Sequence, residues 1–348
     1  MSATPIDQPL AHAPLRVPPP VGPGAHIRVI SPTGPSVVDL ADRARRGEGA
    51  LASAGFTVSY GKYARDISAD GTRAGDPRKR AADFMEAFED PSVDAVMAAD
   101  AGAYSRELLD FLDPGPIAAN PKPFIGFCDN VFLHQFLATH AGLSSLYGCI
   151  LVPHLGEAGG AFPETLECLI RALDSTRPLV CEPVPTRTGE WINWYLPQAD
   201  SRRRHRGVRG GWSWLAEGTC TGRLLGGEIS VVPELVERFD LSLTSSVFFW
   251  HKAFKGAEAE TAFRNLCEST DLTGLAGMVV GAHPEIPPPE WAARVSDLLD
   301  ELLPDIHYPV VVNSDISHLS PPLTVPYGEE VTLDPTGRMV FERGTNQH

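Results

Sequence analysis

Short apolar runs alternate with helix-like stretches along the first half of the chain. The runs are IRVISPTGP (27–35), TVSYGKY (57–63), VDAVMAAD (93–100), PFIGF (123–127) and SSLYGCILVP (144–153). Helical periodicity follows them around residues 40–51, 78–89, 105–113 and 131–141. Strands that alternate with helices predict an α/β fold with a parallel sheet and helices on both faces. Functional loops then lie at the carboxyl ends of the strands.

The pattern changes after about residue 172. Residues 182–221 are rich in Trp, Gly, Arg and Pro without clean periodicity, and short strands and turns begin at Gly222. We therefore predict a Pro-rich extended or disordered arm (1–25), an N-terminal flavodoxin- or Rossmann-like α/β domain (26–172) and a connecting loop (173–221). A smaller, mixed α+β domain (222–348) completes the chain.

Composition narrows the function classes. The chain has 348 residues, of which 43% are hydrophobic, and this suits a globular protein of two domains. Its net charge of −15 argues against a nucleic-acid partner. The basic cluster Arg202–Arg206, followed by Arg209, is local: it is either a solvated loop or a clamp for a carboxylate or phosphate.

Cysteine spacing and hydropathy favour a cytoplasmic protein without structural disulfides. Six cysteines are scattered without CxxC spacing, which argues against a disulfide framework or a zinc ribbon. They are Cys128, Cys149, Cys168, Cys181, Cys220 and Cys267. Neither a signal peptide nor an apolar run long enough to span a bilayer is evident, so we expect a cytoplasmic location and no membrane partner.

The stretch PFIGFCDNVFLHQFLATHAG (123–142) places a cysteine between a predicted strand and a predicted helix that stops at Gly142. This order is typical of a nucleophile elbow, with Asn130 supplying the strained turn that glycine usually provides. A helix N-terminus would favour the Cys128 thiolate. The alternative is a small, buried, apolar cysteine, the commoner role of this residue.

Four motifs in order resemble one family. They are MAADAGAYSRELLDFLD (97–113), KPFIGFCDN (122–130), GRLLGGE (222–228) with SSVFFWHKAF (245–254), and SDISHLSPPLTVPYG (314–328). Together they resemble the LD-carboxypeptidase family, and most nearly the branch of the microcin C self-immunity peptidases. The resemblance covers nearly the whole chain. It implies hydrolysis of an amide bond near a free carboxylate, and a homodimer is common in the family.

The resemblance implies roles for individual residues. Cys128 takes the position of the family's nucleophilic serine, and His318 that of its catalytic histidine. The backbone N–H groups of Gly102 and Asp129 would form the oxyanion hole. His251 stands where the family has a catalytic glutamate, and the adjacent Lys252 replaces a second acid.

The exchange of serine for cysteine and the loss of the acid are chemically consistent. A Cys–His pair can ionise without a carboxylate, whereas a Ser–His pair depends more on its third member. His251 either orients His318 as a neutral hydrogen-bond acceptor or joins Cys128 and His318 in a zinc site. Glu228 and Asp315 are possible substitutes for the missing acid.

The segment WINWYLPQADSRRRHRGVRGGWSWL (191–215) is similar to a loop of the microcin branch. There it stacks on a flat group such as a nucleobase; packing is the alternative role for Trp191, Trp194, Trp212 and Trp214. The substrate-binding residues that we predict are Tyr104, Trp191, Trp194, Trp212, Arg209 and Glu228.

Three functions remain open at this stage. The leading one is a cysteine-dependent acyl-transfer enzyme that hydrolyses an amide bond of a small peptide, a peptide-like metabolite or a nucleotide conjugate through a thioester. An amide-forming acyltransferase of specialised metabolism is the second, because an amine can intercept a thioester. A catalytically silent, ligand-binding homologue is the third. No cofactor is expected in any of them.

Overall fold

A computed structural model describes residues 14–196, 198–253 and 255–344. The described strands are β1 (His26–Ile30), β2 (Thr57–Tyr60), β3 (Ala95–Ala98), β4 (Phe124–Gly126), β5 (Ser145–Tyr147), β6 (Leu179–Cys181), β7 (Thr186–Arg187), β8 (Val208–Arg209), β9 (Ser213–Ala216), β10 (Cys220–Glu228), β11 (Ser246–His251), β12 (Gly277–Gly281), β13 (Val310–Ser314), β14 (Val325–Tyr327), β15 (Glu330–Asp334) and β16 (Arg338–Phe341). The described α-helices are α1 (Ser36–Asp39), α2 (Ala41–Ser53), α3 (Pro77–Glu89), α4 (Pro114–Ala119), α5 (Val131–Phe136), α6 (Pro163–Leu173), α7 (Val232–Phe239), α8 (Gly256–Ser269) and α9 (Pro288–Leu302).

The first sheet has the strand order β14-β5-β4-β3-β1-β2. Strands β1 to β5 pair in parallel, which confirms the predicted N-terminal α/β architecture. Strand β14 comes from the far end of the chain and pairs antiparallel with β5, so the C-terminal segment contributes an edge to this sheet. The described part of the Pro-rich arm lies against the same unit, where the Arg16 N–H donates to the Gly142 carbonyl at 2.9 Å.

Helix signals in the sequence have clear structural counterparts. The Asp76 side chain caps α3 by accepting from the Arg78 N–H, and Pro77 occupies the first turn. Helix α5 widens into a π-helical turn over 137–141 and ends at Gly142, which is left-handed at φ 65°. The strand predicted over 144–153 is shorter, because Leu151–Leu155 form a separate helical turn.

The second sheet has the order β6-β16-β15-β10-β11-β12-β13-β9. Its centre, from β10 to β13, is parallel, and antiparallel strands flank it on both sides. Helices α8 and α9 follow β11 and β12 as crossover connections, and neither was predicted from the sequence. Trp250 and Trp291 are fully buried where β11 meets α9, with ring centroids 5.9 Å apart.

The two sheets meet beside the turn that follows β4. Gly227, at the end of β10, has a φ of 157°, and an added Cβ would lie 3.0 Å from the Val131 side chain at the start of α5. Glycine therefore allows the end of β10 to approach the elbow. Within the described residues, every helix is too short or too polar to cross a membrane.

Candidate active site

The turn after β4 has the geometry of a nucleophile elbow. Cys128 has a φ of 53°, a left-handed conformation that is uncommon for a residue with a side chain and marks strained functional turns. Asn130 has a φ of −61° instead, so the prediction that Asn130 carries the strained turn is wrong. Its side-chain oxygen accepts the Phe127 N–H at 3.1 Å and closes the turn from within. Cys128 is half-buried rather than sealed in the core.

Three histidine rings surround Phe127, the residue before the elbow cysteine. Ring centroids lie 5.1 Å from Phe127 for His154, 5.2 Å for His251 and 4.8 Å for His318. The centroids of His251 and His318 are 4.9 Å apart. The structure therefore gathers the two histidines singled out from the sequence beside the elbow, and adds His154, which the sequence analysis missed.

Hydrogen bonds through Tyr147 connect the backbone of Cys128 to the ring of His251. The Cys128 backbone N–H donates to Tyr147 Oη at 2.9 Å, and Oη lies 2.6 Å from His251 Nε2. No other acceptor for the hydroxyl proton is found in the described chain, and donation to Nε2 leaves the fewest polar groups unpaired, so we assign this tautomer. The neutral His251 ring then carries its own proton on Nδ1, which is buried without a hydrogen-bond partner among the described residues.

Burial keeps both members of the expected Cys–His pair uncharged. Burial raises the pKa of the Cys128 thiol, and the charges of Glu228 and Asp129 raise it further. The Asp129 N–H and the Lys252 ammonium oppose this rise. The lowering expected at a helix N-terminus is present in the Asp129 N–H, but burial and the two carboxylates outweigh it.

The histidines show the corresponding shift. Burial lowers the pKa of His318 to about 3, with a further contribution from the positive charges of Lys252 and His283. Burial also holds the pKa of His251 well below its usual value. Both groups are therefore uncharged at rest, and His318 Nε2 is buried without a hydrogen-bond partner among the described residues, so the thiolate–imidazolium pair expected from the sequence is not formed.

The carboxylates considered as replacements for the missing acid are held by other partners. Asp315 forms a buried ion pair with Arg187 at 3.2 Å and accepts the Trp212 indole N–H at 2.9 Å. Glu228 pairs with Lys252 at 2.9 Å. Within the described residues, neither carboxylate hydrogen-bonds to His318. The Glu228–Lys252 pair instead places one charge of each sign close enough to influence Cys128.

Ser105 ties the expected oxyanion loop to the elbow. Its backbone N–H donates to Asp129 Oδ2 at 2.7 Å, and its hydroxyl donates to the Asp129 carbonyl at 2.5 Å. Gly102 lies in the exposed turn three residues earlier, and a Cβ there would be 3.2 Å from Thr33. Tyr104 stacks on the Arg73 guanidinium at 4.0 Å. The two backbone donors implied by the family therefore sit on segments that are bonded to each other.

Asp100 is a titratable group of this region that the sequence analysis passed over. It follows β3, is buried, and accepts the Thr33 hydroxyl at 2.6 Å. Burial raises its pKa to about 7, although the Thr33 hydroxyl and the Gly34 N–H lower it. The sequence did contain a signal for Asp100, because this residue ends a predicted strand and functional side chains lie at the carboxyl ends of parallel strands.

The Trp- and Arg-rich segment is anchored at most of the predicted positions. Trp194 lies over Arg43 at 4.2 Å, and the Trp212 N–H is engaged by Asp315. Arg209 is exposed in the two-stranded ribbon of β7 and β8. Trp191 is 64% exposed and is the predicted tryptophan most open to a ligand.

The arginine cluster is mostly neutralised by the protein itself. It lines an open groove of about 530 Å³ beside Phe162. Arg202 pairs with Glu190, Arg204 with Glu157 and Arg206 with Glu164, while Arg203 donates to backbone carbonyls at residues 159–161. The clamp for an external anion that the sequence suggested is therefore largely occupied by internal partners.

The arrangement of the described residues does not support the alternative of a zinc site. No set of three or more His, Cys, Asp or Glu side chains within the described ranges is arranged to hold a metal ion. Cys128, His251 and His318 accordingly do not form a coordination site, and the hydrogen bond from Tyr147 occupies His251 Nε2.

Comparison with known proteins finds similarity to one family. The family profile described as the LD-carboxypeptidase N-terminal domain matches residues 27–148, and the profile of the LD-carboxypeptidase C-terminal domain matches residues 221–333. The microcin C7 self-immunity protein MccF of Escherichia coli is 28% identical over 331 residues, covering 94% of this chain and 93% of MccF. A Bacillus subtilis protein named "Probable murein peptide carboxypeptidase" is 24% identical over 329 residues, or 93% of each chain.

Solved structures show the same fold. MccF in complex with aspartyl sulfamoyl adenosine superposes with a TM-score of 0.85 at 25% identity, covering 93% of this chain and 97% of that one. MccF in complex with glutamyl sulfamoyl guanosine gives a TM-score of 0.84 at 24% identity, covering 95% and 99%. The two-domain architecture predicted from the sequence is confirmed.

Proposed function

The chain belongs to the LD-carboxypeptidase family, and from that premise we propose that it hydrolyses an amide bond through a thioester on Cys128. Family membership supports a hydrolase that acts on a peptide bond. The observation that carries the finer proposal is the left-handed, half-buried Cys128 at the turn between β4 and α5. A cysteine that served only for packing would not require this strained conformation.

Acylation starts from the neutral pair. His318 accepts the thiol proton as the sulfur attacks the carbonyl carbon, and a tetrahedral oxyanion forms. The N–H groups of Asp129 and Gly102 stabilise that oxyanion, each by roughly 3–4 kcal/mol where such donors are well placed. The Lys252 ammonium stabilises the negative charge that develops near the sulfur.

Departure of the amine completes acylation, and the same groups then catalyse deacylation. The protonated His318 gives its proton to the leaving nitrogen as the C–N bond breaks, and the acyl group remains on sulfur as a thioester. Neutral His318 then removes a proton from water, water attacks the thioester, the C–S bond breaks, and the thiol regains its proton. The products are a carboxylic acid and an amine.

A small acyl conjugate is the substrate class that we favour. MccF binds aspartyl sulfamoyl adenosine and glutamyl sulfamoyl guanosine, in which an amino acid is joined to a nucleoside. In this chain, the exposed faces of Trp191 and Tyr195 suit stacking on such a flat group. We therefore propose a nucleotide conjugate or a peptide-like metabolite as substrate.

The test is hydrolysis of a panel of aminoacyl sulfamoyl nucleosides and short murein-type peptides, followed by mass spectrometry. Wild-type protein should release the free amino acid from at least one compound, and Cys128→Ala should not. Cys128→Ser should be nearly inactive, because serine needs the acid that His251 does not supply. Full activity of Cys128→Ala would remove the covalent mechanism.

Two other outcomes remain open to the same experiment. An added amino acid can act as an acyl acceptor, and enzyme-dependent formation of the amide at the expense of the acid, at a rate that saturates with the acceptor, would assign the acyltransferase. Binding without turnover would assign the ligand-binding homologue, which the raised pKa of Cys128 and the engaged His251 favour. A homodimer and a cytoplasmic location stay predictions, which size-exclusion chromatography and cell fractionation can test.

A further inference from the structure

Arg204 differs from its neighbours in the arginine cluster because its side chain is buried. The Arg204 side chain is 9% exposed, and its partner Glu157 is 1% exposed, whereas that of Arg202 is 58% exposed. Arg204 Nε donates to Glu157 Oε2 at 2.9 Å, and the Arg204 backbone N–H donates to Oε1 at 3.0 Å. Glu157 therefore holds both the main chain and the side chain of this residue.

Arg204 also reaches the turn that carries His318. Arg204 Nη2 donates to Ser320 Oγ at 2.9 Å, two residues beyond His318. Ser320 is buried, and its backbone exchanges two hydrogen bonds with Thr188, at 2.8 and 2.9 Å. The connecting loop (173–221) is thus bonded to the histidine turn at two residues, Thr188 and Arg204.

We propose that Arg204 is a positioning residue that holds the His318 turn in place through Ser320. The inference rests on the proposed function, because it takes His318 as the proton acceptor for Cys128. A guanidinium presents several donors in a rigid plane, so one side chain can engage a carboxylate and a hydroxyl together. A lysine ammonium at this position can keep the charge pair with Glu157 but has no fixed second arm for Ser320.

The same carboxylate connects the histidine turn to a predicted substrate residue. Glu157 Oε2 lies 3.9 Å from Arg43 Nη2, and the Arg43 guanidinium lies beneath Trp194 at 4.2 Å. Arg43 also pairs with Asp200 at 2.6 Å, which fixes the middle of the segment. The position of His318 is therefore set by the segment that also bears the aromatic side chains.

Acylation by p-nitrophenyl acetate tests this role without requiring the natural substrate. The initial release of nitrophenolate is followed over a pH series and corrected for the same signal from Cys128→Ala. In the wild type, the rate should be nearly constant between about pH 6 and 9, because neutral His318 is present throughout. Without a positioned base, the rate follows the thiolate fraction and rises about tenfold per pH unit; His318→Ala is the reference for this behaviour.

The variants are Arg204→Lys and Ser320→Ala. Arg203→Lys is the matched control, because among the described residues the Arg203 guanidinium donates to carbonyls of residues 159–161 and lies over the Phe162 ring, and has no bond to Ser320. In Arg204→Lys and in Ser320→Ala, the acylation rate at pH 6 should be about tenfold lower than in the wild type, and it should rise with pH as in His318→Ala. The double variant should be no worse than Arg204→Lys alone, and Arg203→Lys should retain the flat profile.

Two results would overturn the positioning role. One is a flat, wild-type profile in both single variants. The other is a uniform loss of rate that leaves the profile flat and follows a loss of folded protein in urea. Failure of the proposed function looks different: the wild-type signal would then equal that of Cys128→Ala, whatever stands at position 204.

Discussion

Tyr147 Oη lies 2.6 Å from His251 Nε2 while it accepts the backbone N–H of Cys128. This arrangement directs the hydroxyl proton to Nε2 and leaves the proton of the neutral His251 ring on Nδ1. A ring in that state has no free acceptor for a neighbouring imidazolium, whereas a carboxylate has several. The resemblance to the family places His251 where an acid is expected, and a neutral His251 ring does not supply the charge of that acid.

Removing the Tyr147 hydroxyl should release this constraint. Tyr147→Phe leaves the buried Cys128 N–H without an acceptor, at a cost of about 1–3 kcal/mol in the free energy of unfolding. It should also change the rate at which Cys128 is acylated. Urea denaturation and the nitrophenyl acetate assay measure the two effects.

Tyr327→Phe is the control, because its buried hydroxyl donates to Gln135 Oε1 at 2.7 Å and does not contact Cys128. It should lose stability but keep the wild-type acylation rate. An acylation rate in Tyr147→Phe equal to that of this control would show that the hydroxyl has no influence on the elbow.

Restoring an acid at position 251 should activate the site. In His251→Glu, a carboxylate can accept from His318, favour its protonated form and raise its pKa. We expect acylation of Cys128 at pH 7 to rise by at least about tenfold, a small part of the ~10⁴-fold effect of the triad carboxylate in serine enzymes. His251→Gln keeps the size without the charge, and an equal rate in the two variants would refute the electrostatic explanation.

Acid should destabilise the fold through its buried histidines. Burial lowers the pKa of His134, His154 and His318 to about 3, whereas an unfolded histidine binds its proton near pH 6.5. The unfolded state therefore takes up more protons as pH falls from about 6.5 towards 3, and the free energy of unfolding decreases by up to about 1.4 kcal/mol per pH unit for each such group.

The variant His154→Asn separates the effect of a buried histidine from that of buried carboxylates, which change stability with pH in the opposite direction. His154→Asn keeps an acceptor for the Ile150 N–H, which donates to Nδ1 at 3.1 Å, but cannot be protonated. Urea midpoints at pH 7.5, 6.5 and 5.5 should decrease less steeply in the variant than in the wild type, because the variant lacks one group that takes up a proton on unfolding. Parallel slopes would mean that His154 is not held neutral.

Asp100 should destabilise the protein as pH rises from about 4 to 7. Because burial raises its folded pKa to about 7, above the unfolded value near 4, the folded state binds the extra proton, and stability falls as pH rises through this window. Asp100→Asn should therefore be more stable than the wild type at pH 8, by up to about 4 kcal/mol, and the difference should shrink towards pH 4. A constant difference across pH would exclude Asp100 as the titrating group.

Local patterns in the sequence were sufficient to predict the first sheet and the elbow. The alternation of apolar runs and helices gave β1 to β5, and the order strand, cysteine and helix gave the turn at Cys128. The prediction that Asn130 carries the strained conformation was wrong. Cys128 carries it, and the Asn130 side chain accepts the Phe127 N–H and holds the turn. Helices α8 and α9 were missed where short strands dominated the pattern.

The electrostatics of the site depended on contacts between distant segments. Tyr147 belongs to the first sheet and His251 to the second, so their hydrogen bond has no signal in either local pattern. The ion pair of Glu228 with Lys252 arises because the ends of β10 and β11 are adjacent, with Glu228 opposite His251 in the ladder. Burial of the rings around Phe127 then sets the pKa values, which no spacing rule could supply.

Rapid-quench mass spectrometry of the protein with an aminoacyl sulfamoyl nucleoside tests the central claim most directly. The account predicts a transient mass increase equal to the acyl group, located on the peptide that contains Cys128 and removed by hydroxylamine. Steady hydrolysis of the conjugate with Cys128 unmodified at every quench time, and at the same rate in Cys128→Ala, would contradict it.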